Sequence, residues 1–136
     1  MADTFQLEIV TLEKIVVKDD AQEMQIPGKN GYLGILPGHA PLVTELAVGE
    51  ITYRKEGYTH HLAVAWGFAE VLPDRVTVLA EIAERADEID VQRAEKAKER
   101  AEQKLRSGDP EIDYDRAEAS LRKAETRLEV AKKEGR

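Results

Sequence analysis

Two hydrophobic periods divide the chain. From Phe5 onward, apolar residues fall in short alternating runs: "FQLEIV", "KIVVK", "EMQI", "GYLGIL", "LVTEL", "EITYRK", "HHLAVAWG", "FAEVL" and "RVTVLAEI". The period of two is clearest at Phe5, Leu7 and Ile9 and at Val76 and Val78. Turn formers separate the runs at Asp19-Asp20, Pro27-Gly28, Pro37-Gly38, Gly49, Glu56-Gly57 and Pro73-Asp74. Successive strand residues face opposite sides, so this pattern predicts an antiparallel β-sandwich or flattened barrel.

After "AERADE" the period becomes about 3.6. One helix is predicted from about Ile89 to Arg106, with Asp87 or Asp90 as its N-cap. "SGDP" at 107–110 ends it: Gly108 suits a left-handed position, and Asp109-Pro110 reads as cap and first residue of a second helix running to about Lys133. Ala94, Ala97, Ala101 and Leu105 form a stripe on the first helix, and Ala117, Leu121, Ala124, Leu128 and Ala131 form one on the second. Small residues let two antiparallel helices approach closely, but alanine buries little area. Such a hairpin is marginal without another surface to lie on. Glu102–Arg106, Glu118–Arg122 and Glu129–Lys133 are spaced as favourable helical ion pairs, each contributing a few tenths of a kcal/mol.

Composition sharpens the division. Residues 1–89 carry 7 basic and 15 acidic side chains, whereas residues 90–136 carry 13 and 12, so 25 of the last 47 positions are charged. The expected domains are 1–86, a sandwich, and 87–136, a helical hairpin. An acidic first part argues against a phosphate-backbone surface, so nucleic acid is not an expected partner. No cysteine is present, which leaves no disulfide framework and no thiolate metal site and implies a reducing compartment. No apolar run is long enough to span a bilayer, and "MADTFQLEIV" lacks the basic head and apolar segment of an export signal.

The stretch "IPGKNGYLGILPGHAPLVTEL" at 26–46 offers the first candidate chemistry. A phosphate loop needs Gly-Lys-Ser/Thr after its second glycine and a helix behind it. Here Lys29 follows the first glycine, and strand vocabulary follows. The glycines therefore read as turn residues. His39 has no acid, serine or cysteine at a telling spacing, and His60 and His61 sit in an alternating strand that turns one of them outward, so no catalytic role is assigned to any of the three.

Together with "GFAEVLPDRVTVLAE", this stretch resembles the epsilon subunit of the bacterial rotary ATP synthase, a likeness that covers nearly the whole chain. The resemblance implies a non-catalytic subunit of a proton-translocating ATP synthase, peripheral on the cytoplasmic face of the plasma membrane and held there only through the complex. It implies a sandwich that binds the gamma subunit and rests on the c-ring, with Gly31, Tyr32, Leu33, Gly34, Ile35, Leu36, Pro37, Gly38 and His39 as rotor contacts. It implies helices that either fold onto the sandwich or extend into the alpha/beta catalytic head and inhibit hydrolysis, with Arg116, Arg122, Lys123 and Arg127 meeting acidic segments of beta; Lys132 and Lys133 extend the same basic run. For any one of these cations a solvated face is the simpler reading.

Some bacterial members of that family bind ATP on the folded hairpin through Ile/Leu-Asp-x-x-Arg-Ala, and "IDVQRA" stands at 89–94. The implied ATP ligands are Ile89, Asp90, Arg93, Ala94, Arg100, Lys123 and Arg127. If the chain folds back about Gly108, then Asp90, Arg93, Lys123 and Arg127 lie at similar heights on the two helices, a carboxylate among three cations. Lys123 replaces an arginine of the ATP-binding members, keeping the charge but losing the planar fork. "IDYDRA" at 112–117 repeats the motif at the second helix start, so a plain helix-start reading suffices for either copy. ATP is thus an expected regulatory ligand; no cofactor and no metal are expected to be required. A stand-alone ATP-binding regulatory module is the alternative, and a small hydrolase lacks the necessary base, nucleophile or metal cluster.

Overall fold

The computed structural model describes residues 3–133. Eight strands come first: β1 (Phe5–Val10), β2 (Ile15–Ala21), β3 (Glu23–Gly28), β4 (Gly31–Ile35), β5 (Leu42–Leu46), β6 (Gly49–Lys55), β7 (Tyr58–Val71) and β8 (Arg75–Arg85). A single 3-10 turn at Ala86–Glu88 leads to helices α1 (Val91–Arg106) and α2 (Tyr114–Ala131). The strand period of two is visible in burial. Phe5, Leu7 and Ile9 are all buried, and Val76 and Val78 lie beside them in the core with Ile26, Ile35 and Ile51.

Nine predicted runs make eight strands because "HHLAVAWG" and "FAEVL" join into one bent strand, β7. Its first half pairs with β6 and its second with β5, while β8 follows along both halves. The hydrogen-bonded order is β2-β1-β8-β7-β5-β3-β4, with β6 bridging β3 and β7. A single pair, Gly28 with Leu46, joins β3 to β5 and closes the ring. All pairings are antiparallel except β1 with β8, which run parallel.

The bend in β7 falls at Trp66 and Gly67, with φ of 55° and 127°. A Cβ at Gly67 would lie 1.9 Å from the Leu79 carbonyl oxygen on the neighbouring strand. Only glycine lets the two backbones approach that closely. Trp66 is a bulky residue in the left-handed region, a strained conformation that something nearby must hold.

Both helices start on an Asp. Asp90 Oδ1 accepts from the Arg93 amide at 3.1 Å, and Asp113 Oδ1 accepts from Arg116 N at 3.1 Å. The second helix therefore begins four residues later than Asp109-Pro110 suggested. Asp109 instead accepts from Glu111 N and turns the loop, leaving the second Asp to satisfy the helix donors. Gly108, at φ 69°, makes the left-handed exit expected of it.

The seam is alanine. Ala94 and Ala101 on α1 and Ala117 and Ala124 on α2 are buried, with Ala97, Leu105, Leu121 and Leu128 half-buried around them. Among the described residues none of the three anticipated helical ion pairs forms. Lys133 turns away from Glu129 to Glu50 of β6, at 2.7 Å.

Candidate functional site

Two regions hold the candidate residues. The first is the end of the sandwich where β4 turns into β5. Lys29 and Asn30 form a tight hairpin turn between the paired Gly28 and Gly31, and Lys29 Nζ lies 3.3 Å from Glu45, so "GKNG" is a turn rather than an anion cradle. Within 31–39 alternation splits the residues. Ile35 is in the core and Leu33 packs on it, whereas Tyr32, Gly34, Leu36 and Gly38 face outward and Pro37 and His39 are half-buried. The Gly38 amide donates to the Pro73 carbonyl at 2.7 Å, tying this turn to the β7–β8 turn "LPDR". The two most distinctive stretches of the sequence therefore meet at one end of the fold.

Beside it lies a feature that alternation contained but its core-facing reading passed over. Phe68 pairs directly with Leu79, and Val43 stands nearby on β5; all three are more than half exposed. They occupy the positions out of phase with the core, where polar residues are the rule. That phase mismatch was the available signal. An exposed apolar ridge on a sheet marks a contact surface.

The second region is the hairpin docked on the sandwich. Val130 and Ala131 of α2 bury against Ala63 of β7, Ala86 and Ile89. Three cations flank this small patch. Lys123 Nζ sits 4.9 Å from the centre of the Trp66 ring. Arg127 Nε donates to Glu84 Oε1 on β8 at 2.5 Å. Lys133 Nζ donates to Glu50 Oε1 at 2.7 Å, while Glu50 Oε2 lies 2.8 Å from His61 Nδ1. The hydrogen bond to Glu50 holds the Lys133 ammonium above the ordinary lysine range. The other two histidines have plain surroundings: His60 stacks on Tyr53, and His39 Nδ1 lies 2.6 Å from the Ala40 carbonyl.

The residues of "IDVQRA" divide among structural tasks. Ile89 anchors the docking patch, Asp90 caps α1, Ala94 lines the seam, and Arg93 is exposed. Among the described residues no hydrogen bond or ion pair joins Asp90 or the Arg93 side chain to Lys123 or Arg127, which turn toward the sandwich instead. Arg100 lies elsewhere, in a groove of about 490 Å³ between the helices toward their joined end. Ala97, Ala101 and Ala117 make the groove's floor, and Lys104, Arg116, Glu111 and Asp113 line it. Among the described residues Arg100, Lys104 and Arg116 form no ion pair, and neither does Arg122.

A closed β-sandwich followed by an alanine-seamed hairpin lying back on it defines a class of small two-part subunit. Family models agree: residues 4–86 match the beta-sandwich domain of the ATP synthase delta/epsilon chain, and residues 87–132 match its long alpha-helix domain. The chain belongs to the ATP synthase epsilon-chain family. It is 70% identical over 111 residues to the ATP synthase epsilon chain of Koribacter versatilis, covering 82% of this chain and 78% of that one. It is 46% identical over 134 residues to that of Solibacter usitatus, covering 98% and 100%. Among solved structures, a chain of the Euglena gracilis mitochondrial ATP synthase, in a structure containing OSCP, F1 and the c-ring, superposes with a TM-score of 0.82 at 26% identity, covering 96% of this chain and 82% of that one. Among the described residues no helix is long and apolar enough to cross a membrane.

Proposed function

We propose that the chain is a non-catalytic central-stalk subunit of a proton-translocating ATP synthase, whose sandwich couples the gamma subunit to the c-ring and whose hairpin is a movable, ATP-sensing brake on hydrolysis. It sits at the cytoplasmic face of the plasma membrane, held there through the complex. The outward residues of 31–39, chiefly Tyr32 and Leu36 with the turn at Pro37 to His39, meet the rotor. The ridge of Val43, Phe68 and Leu79 gives gamma a dry surface. No cofactor is required.

The observation that carries the brake is how little holds the hairpin down. One valine, one isoleucine and three alanines form the apolar contact, in place of the broad core that secures each strand. Released, Arg116, Arg122, Lys123 and Arg127 would present a basic face to acidic segments of the catalytic beta subunits.

ATP binds the folded hairpin through Ile89, Asp90, Arg93, Ala94, Arg100, Lys123 and Arg127. To reach a nucleotide, Lys123 and Arg127 must exchange Trp66 and Glu84 for phosphate oxygens. Arg100 would have to reach the same nucleotide from the groove, where Lys104 follows it one turn along α1 and Arg116 of α2 faces it beside the carboxylates of Glu111 and Asp113. ATP at ten times its dissociation constant would stabilise the folded state by about 1.4 kcal/mol, enough to bias a nearly balanced switch.

Two measurements test this. Tagged chain should retain gamma from a mixture of stalk subunits, and Phe68→Glu should lose it; a chain that binds ATP but never retains gamma would be a stand-alone nucleotide module. Calorimetric titration should give heat with ATP that Asp90→Ala, Arg100→Ala and Arg127→Ala each diminish. No heat at millimolar ATP would end the sensor, leaving the stalk role intact.

A further inference from the structure

We infer that the docked hairpin is held by an electrostatic latch built into the sandwich, with Trp66, Glu84 and Glu50 as its catches, and that ionic strength alone can release it. The inference rests on the movable-hairpin reading above and names what holds the closed state.

Selectivity among the cations of α2 is the first support. Lys123, Arg127 and the following Lys133 each meet a partner on a different strand, β7, β8 and β6. Among the described residues Arg116, Arg122 and Lys132 form no ion pair. Partners are thus supplied only along the line where α2 faces the sandwich.

The second support is the backbone at the first catch. Trp66 sits at φ 55°, an unfavourable value for a bulky side chain, in the bend that Gly67 makes possible. A sheet corner can be turned with glycine alone. Here a tryptophan occupies the strained position, and its ring lies under the Lys123 ammonium. Strain of this kind persists where the surroundings use it.

Third, the latch and the groove between the helices share no residue. The groove is lined by Arg100, Lys104 and Arg116 among others, while the latch uses Lys123, Arg127 and Lys133. A ligand held in that groove alone fastens helix to helix, whereas the latch fastens hairpin to sandwich; a nucleotide that also draws on Lys123 and Arg127 trades two of the three catches for phosphate contacts. Without a ligand, the closed state is set by two carboxylates and one tryptophan ring on three strands.

The three contacts are half-exposed, so each shifts the docking equilibrium by roughly two- to fivefold and together by roughly tenfold or more. Raising salt from about 0.02 M to about 0.5 M shortens the screening length from roughly 20 Å to roughly 4 Å. Amide hydrogen exchange on the full chain reads the result directly. In wild type, amides of residues 124–131 should exchange roughly tenfold faster at the higher salt, while Val64 and Val78 in the sandwich keep their rates. The double variant Glu84→Gln, Glu50→Gln should exchange fast at low salt and lose most of its salt dependence; Lys123→Gln should lie between.

Wild-type exchange in α2 that ignores salt, or a double variant with wild-type rates, overturns the latch while leaving a movable hairpin. Should α2 amides exchange only as slowly as the sandwich core in every condition, the hairpin does not open and the brake falls too. Where a variant also loosens the sandwich amides, the wild-type salt titration decides.

Discussion

Val130 is the position at which the docking equilibrium can be moved without touching anything else. Its side chain is fully buried, and the residues around it are Ala63, Ala86, Ile89 and Ala131, so its burial depends on the hairpin lying against the sandwich. Val130→Ala removes two methyl groups from that contact. At about 0.8 kcal/mol per buried carbon the loss is roughly 1.5 kcal/mol, near the size seen for comparable truncations in protein interiors. Alanine is the better helix former, so the substitution does not weaken α2 by propensity, and faster exchange then reports the loss of docking by a hairpin that is marginal without the sandwich. The docked-to-released ratio should fall about tenfold. Amide exchange in the last two turns of α2 should rise by that factor, and the assembled complex should be more strongly inhibited at low ATP. Unchanged exchange and unchanged inhibition would mean that Val130 stays buried in the inhibitory state, and the docking geometry would then not be the switch.

Other substitutions probe the frame around it. Gly67→Ala should cost roughly 3 kcal/mol or more and lower the melting temperature by over about 10 °C, since its Cβ meets backbone at 1.9 Å; Gly57→Ala, also at positive φ but in open space, should cost only about 1 kcal/mol, and equal losses would refute the close-approach account. Asp113→Ala should remove about 1 kcal/mol of α2 stability, seen as lost helical circular dichroism and faster exchange in the first turn; intact helicity would show the cap to be dispensable. Acid should act through Asp19. Burial opposes its ionisation, but hydrogen bonds from Lys55 and Tyr53 outweigh that and hold its pKa below the ordinary 3.8. Its stabilising effect is therefore complete above that value and lost as pH falls through the lower, folded one. Asp19→Asn should flatten the acid limb of a stability–pH curve; an unaltered limb would assign acid sensitivity elsewhere.

How much of this could be read beforehand depends on the length scale of the signal. Alternation at Phe5, Leu7 and Ile9 displayed the sandwich, because burial on one face of a strand repeats every two residues. The alanine seam was equally plain at helical spacing. The start of α2 was misplaced because two Asp residues, 109 and 113, compete as caps, and only the fold decides which amides each can reach. The bend of β7 was invisible as continuity: Trp66-Gly67 looks like a strand end, yet β8 pairs on across it, Ile82 with Ala65 and Ala80 with Gly67. Least legible were the partners of Lys123, Arg127 and Lys133. Trp66, Glu84 and Glu50 are distant in sequence and lie on three strands, so no local spacing links them. Lys123 and Arg127, which a resemblance assigned both to ATP and to beta, are in the docked hairpin already engaged with the sandwich.

The most direct measurement is ATP hydrolysis by the assembled complex carrying either the intact chain or one ending at Glu88, at low nucleotide. A restraining hairpin predicts a several-fold faster rate with the shortened chain, and a smaller difference once ATP is abundant. Equal rates at every ATP concentration would contradict it, leaving a stalk connector whose helices do not govern the rotor.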